Sequence, residues 1–146
     1  MRDFIKQFMT EVDCTTDEVN VPQASLYIGL ILEEVSELLV TLGHDASRLI
    51  NLSNQYKKNE YNKQIEQLIE NGKLPEVLDH CMDIVWVSYG LSYSIGADVN
   101  GAENEVSTSN LSKTIDKLRD PITNKVIKGP SFIPADFSKY VQFKKN

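Results

Sequence analysis

The 146-residue chain holds only two cysteines and two histidines, and none of the four falls in a metal-ligand spacing. Cys14 and Cys81 form neither a disulfide framework nor a CxxC zinc pattern, so both read as reduced thiols. No Glu-x-x-His pair accompanies His44 or His80, which argues against zinc and against a dinuclear iron bundle. His80, between Asp79 and Cys81, reads either as a group that orients a carboxylate or as an ordinary packing or surface residue.

Long apolar runs are also lacking. No stretch approaches the ~20 residues needed to cross a bilayer, and Arg2, Asp3 and Lys6 interrupt the amino-terminal apolar residues. The expectation is a cytoplasmic protein with no membrane partner. No internal repeat or low-complexity tract is present. A content of 41% hydrophobic and 25% charged residues fits one domain with a modest core.

Basic residues are scarce in most of the chain. Residues 1–112 carry 7 basic and 18 acidic side chains, a balance of −11, whereas residues 113–146 carry 8 and 3, a balance of +5. The overall charge of −6 argues against a nucleic-acid partner. The basic arm, 113–146, is either a solvated tail or a cover for an anionic ligand held on the acidic core, 1–112.

What remains is mostly helical. Phe4, Ile5, Phe8 and Met9 mark a short first helix that ends near Asp13 to Thr16. Val21-Pro22 opens a second, whose stripe of Leu26, Leu30, Val35, Leu38, Leu39 and Leu42 stops at Gly43. The polar segment from Asp45 to Asn71 suggests one or two peripheral helices, closed by Asn71-Gly72. Pro75 begins the longest apolar helix, which runs to about Gly96 with almost no polar face. Such a helix must be covered on several sides, and in so small a chain part of the cover is expected from another subunit. A further helix is expected from Ala102 to about Ser112, then a turn or hairpin near Thr123-Asn124 and a last short helix over Asp136 to Val141.

Two acidic clusters lie inside these apolar patterns. Glu34 and Glu37 share a helical face with Glu33 beside them, and Glu76, Asp79 and Asp83 line up along the longest helix. If they converge, five or six carboxylates meet, and a cation must neutralise them. The alternative is an exposed acidic stripe. Against it, no Lys or Arg stands at i+4 to any of Glu33, Glu34 or Glu37, and Asp79 and Asp83 interrupt the most apolar helix. An all-oxygen donor set suits Mg2+, with Mn2+ as a substitute, and Mg2+ leaves positions for phosphate oxygens. A nucleotide or another polyphosphate is the ligand that follows.

Glu33-Glu34-x-x-Glu37 followed by Glu76-x-x-Asp79 resembles the EExxE and ExxD signature of the all-α nucleoside triphosphate pyrophosphohydrolases, the MazG-like family. The segments Glu105 to Lys113 and Val126 to Asp136 also resemble carboxyl-terminal blocks of small MazG-like proteins. The 38 residues from Leu38 to Pro75 exceed the family's usual spacing.

The resemblance implies an all-α protein with a four-helix core completed by dimerisation, as a homodimer or a dimer of dimers, with a short irregular or hairpin carboxyl-terminal arm. It implies cleavage of a (d)NTP to the monophosphate and pyrophosphate, a nucleotide-pool house-cleaning activity. On that reading Glu34, Glu37, Glu76 and Asp79 hold metal, Asp83 serves a second metal or supports the ligands, and Glu33 orients or deprotonates the attacking water. Asn110 reads sugar or base, and Lys113 and Lys128 contact phosphates. Trp86 and Tyr89 are expected in the core and are given no base-stacking role. The rival of another class is a non-catalytic helical oligomer that binds metal or nucleotide as a regulator.

Overall fold

The computed structural model describes residues 1–141. The arm's last five residues, 142–146, lie outside them. Six helices follow in order: α1 (Arg2–Glu11), α2 (Val21–Thr41), α3 (Ser47–Lys57), α4 (Asn62–Glu70), α5 (Leu74–Ser94) and α6 (Val99–Asp116), and then a 3-10 turn at Ser138–Tyr140. Among the described residues, β pairing is limited to isolated antiparallel bridges, Ala97 with Val141 and Arg119 with Val126. The all-α class is therefore as the sequence predicts, and no helix among the described residues is long and apolar enough to cross a membrane.

Local signals explain the boundaries. The Asn20 side chain accepts a hydrogen bond from the Gln23 amide at 3.0 Å, and Pro22 stands in the first turn, so α2 starts where its cap places it. Asp98 does the same for α6 through the Gly101 amide at 3.1 Å. That cap moves the start of α6 ahead of the expected Ala102, and the helix runs on to Asp116. Lys113 thus belongs to α6 and not to the arm. The short helix expected over Asp136 to Val141 is only the 3-10 turn, because the segment is held by side-chain hydrogen bonds rather than by its own periodicity.

The closest packing is between α2 and α3, so α3 is not peripheral. Ser25 and Ser53 are both buried, and their hydroxyls donate across the interface to the carbonyls of Tyr56 and Gly29, each at 2.7 Å. Small residues let the two backbones approach. A Cβ on Gly29 would stand 2.6 Å from Lys57 Cγ and 2.9 Å from the Ser53 carbonyl oxygen. Gly29→Ala is therefore expected to lower stability by about 1–3 kcal/mol through overpacking. Denaturant melts test this, and an unchanged midpoint would mean that α3 can shift without cost.

α5 differs from every other long helix. It has no buried residue, and it touches the rest of the chain mainly near its carboxyl end, where the Tyr89 hydroxyl bonds to Glu103 of α6. Trp86 is 79% exposed and Leu78 61% exposed, with Met82, Val85, Val87, Leu91 and Tyr93 also in solvent. The sequence expectation that Trp86 is core does not hold within one chain. A 21-residue apolar helix standing almost bare is a large exposed apolar surface, of the kind that marks an interaction site.

The arm, by contrast, is already folded onto the helices. Asp116 accepts from the amide of Ser131 at 2.8 Å and from its hydroxyl at 3.0 Å, and the Ile133 amide donates to the Ser112 hydroxyl at 2.8 Å. Glu105 takes the Asp136 amide at 3.0 Å and pairs with Lys139. Between these clips, residues 119–126 make the tight turn expected near Thr123-Asn124, with Asn124 at φ +58°.

Candidate functional site

The acidic residues of α2 face different surroundings. Glu33 points between α3 and the arm, where its two oxygens meet Lys57 Nζ at 2.9 Å and Lys125 Nζ at 2.6 Å. Partial burial pushes its carboxyl pKa up, but the ion pairs with Lys125 and Lys57 outweigh that and hold it below the ordinary glutamate value. Glu34 and Glu37 are exposed.

Glu34 borders a groove of about 470 Å3 formed by α1, α2, α6 and the arm. The lining has two chemical parts. Phe4, Ile5, Phe8, Leu26, Tyr27 and Leu30 contribute apolar surface, whereas Asn110, Lys113, Arg119 and Lys125 contribute hydrogen-bond donors and positive charge. A cavity of this size, mostly apolar with a few converging polar groups, is the usual form of a small-molecule site.

Of the residues expected to bind substrate, Asn110 and Lys113 line the groove together, and the Lys113 ammonium donates to Asn110 Oδ1 at 2.6 Å. Burial, reinforced by the positive charges of Lys128 and Lys125, holds the Lys113 pKa below the ordinary lysine value; Glu34 acts in the opposite direction. Lys128 lies over the Phe132 ring at 4.8 Å from its centroid, and Lys113 approaches the same ring at 5.7 Å. A half-buried lysine with two further positive charges close by forms a site that gains from an anion.

The acidic residues of α5 do not join those of α2 within one chain. Asp79, Asp83 and His80 bring one ligand atom each to within 4.8 Å of one another, all three exposed, and they are the group of that kind among the described residues. Glu76 lies outside it, paired with Lys73. Two carboxylates and an imidazole fit a divalent cation, although the nitrogen donor makes the set less specific to Mg2+ than carboxylates alone. His80 itself is an exposed surface side chain beside these two carboxylates.

Three basic residues escaped the sequence reading. Lys57 closes a polar helix and carries no motif. Lys125 and Arg119 lie in the basic arm, but only the turn at Asn124 brings them beside α2 and the groove. The Arg119 guanidinium donates to the Asn124 carbonyl at 2.7 Å and to the Val12 carbonyl, which fastens this turn to the chain after α1.

No family model, curated protein or solved structure matches this chain.

Proposed function

We propose that the protein is a metal-dependent nucleoside triphosphate pyrophosphohydrolase of MazG-like type, releasing a nucleoside monophosphate and pyrophosphate. The observation that carries this reading is the groove itself, where Glu34 of the acidic motif borders the same cavity as Asn110, Lys113 and Lys125. An anion-binding wall beside an acidic, cation-binding wall suits a ligand that brings phosphate charge together with a metal. The apolar part of the lining suits a nucleobase.

In this reading Glu34 and Glu37 hold metal from α2, and Asp79 and Asp83, with Glu76 and His80 near by, hold it from α5. A bound Mg2+ or Mn2+ supplies neutralisation of phosphate charge and a more acidic water. The chain's own groups do the rest. Lys113 and Lys128 neutralise and position the phosphates, Asn110 holds the Lys113 ammonium in place, and the apolar lining excludes water from around the base.

A second copy of the chain completes the site. The bare apolar face of α5 needs a partner, and the α5 carboxylates need the α2 carboxylates. Docking of one protomer's α5 on its partner meets both needs, as a homodimer or a dimer of dimers.

Screening ordinary and modified triphosphates for pyrophosphate release in Mg2+ tests the activity and finds the base and sugar preference. Binding without turnover across that panel would favour a regulatory oligomer. In the same assay, Lys113→Ala or Lys128→Ala should lower kcat/KM by about tenfold or more, the cost of one charge-assisted contact in a partly desolvated site. Unchanged values for both would remove them from phosphate recognition.

A further inference from the structure

Glu33 has one partner that is fixed and one that is not. Lys57 is 11% exposed along its side chain, and its stem packs against Gly29 where α2 and α3 touch, so it is the inner, enclosed partner. Lys125 reaches the same carboxylate from the arm, is 36% exposed, and lines the groove beside Lys113. One negative charge thus holds two positive ones, and the outer one borders the cavity.

The backbone beneath Lys125 is held by hydrogen bonds across its turn. The Asp120 amide donates to the Lys125 carbonyl at 2.8 Å, the Asn124 amide donates to the Asp120 carbonyl at 2.9 Å, and the Asp120 carboxylate accepts the amides of Ile122 and Thr123. Arg119 pins the same turn to the Val12 carbonyl. A change of partner by Lys125 therefore needs only side-chain rotation, which takes picoseconds to nanoseconds in an exposed residue.

We propose that Lys125 is a phosphate-binding residue parked on Glu33 while the groove is empty, and that it transfers to the polyphosphate when ligand enters. This deepens the proposed function, on which it rests for the nature of the ligand. The exchange swaps one charge-assisted hydrogen bond for another, so Lys125 is delivered to the anion without leaving an unpaired charge behind: Glu33 keeps Lys57. It also frees, when phosphate is present, the Glu33 oxygen that Lys125 held. Lys125 then acts beside Lys113 and Lys128, and the positive charges of Lys125 and Lys128 already bear on Lys113.

The test is calorimetric titration with inorganic tripolyphosphate, in chelator and without metal, so that the readout is independent of catalysis. Lys125→Ala should weaken binding about tenfold or more, and Lys125→Arg should stay within about threefold of the native protein, as expected for one charge-assisted contact. Glu33→Gln, which releases Lys125 in advance, should tighten binding by about threefold or more, because the competing partner has lost its charge. If Glu33→Gln does not fold, the Lys125 pair carries the result alone.

Binding to Lys125→Ala that equals the native value, or weaker binding to a folded Glu33→Gln, would overturn the proposal. Lys125-dependent binding with no pyrophosphate release from any triphosphate would refute the enzyme reading and leave the exchange standing. Release with Lys125→Ala binding unchanged would do the reverse.

Discussion

Glu37→Gln and Asp79→Asn should each reduce pyrophosphate release by about 100-fold or more, since loss of a direct metal ligand costs at least as much as loss of the groups that support one. Each substitution keeps the shape of the side chain and removes its charge, so the cation and the substrate it positions are both held less well. Both carboxylates are exposed. Melting curves should therefore move by no more than about 0.5 kcal/mol, which separates loss of function from loss of fold. Near-native rates in either variant at saturating Mg2+ would remove that residue from the metal site.

Assembly should show an equally large effect. At about 25 cal/mol per Å2, each 100 Å2 of apolar surface on α5 left in water forgoes about 2.5 kcal/mol of stabilisation. Light scattering at micromolar concentration should give at least a dimer. Val85→Glu, which puts a charge on the bare face next to Met82 and Leu78, should give a monomer and lose activity with it. A monomeric native protein would contradict the account of α5.

The shared site makes a sharper forecast. Glu37→Gln and Asp79→Asn chains, each inactive, should recover about a quarter of native activity when refolded together in equal amounts, because half the dimers are mixed and one of their two sites is intact. A dimer that shows no recovery would contradict a site shared between protomers.

How much of this was legible beforehand depended on the range of the interaction. Helix boundaries set by nearby residues, such as the Val21-Pro22 entry of α2 and the turn at Asn124, could be read from the sequence, while the Asn20 cap emerged with the structure. The acidic motifs were legible because helical spacing fixes which residues share a face, whereas Asn110 and Lys113 were singled out by the resemblance, and their pairing came only with the extension of α6 to Asp116. The close approach of α3 to α2 was not, since it depends on Ser25, Gly29 and Ser53, small residues that leave no periodic apolar signal. Nor were Lys57 and Lys125, which meet Glu33 across sequence separations of 24 and 92 residues. The reach of α5 could be half read. Its apolar face announced that a cover was needed, while only the structure showed that the chain itself does not supply it.

Phosphorus NMR of the products formed from a triphosphate in Mg2+ tests the central claim most directly. Hydrolysis between the α and β phosphates should give nucleoside monophosphate and pyrophosphate in equal amounts, and both signals should stop growing when a chelator removes the metal. Formation of nucleoside diphosphate and inorganic phosphate, or product formation that continues in chelator, would contradict it.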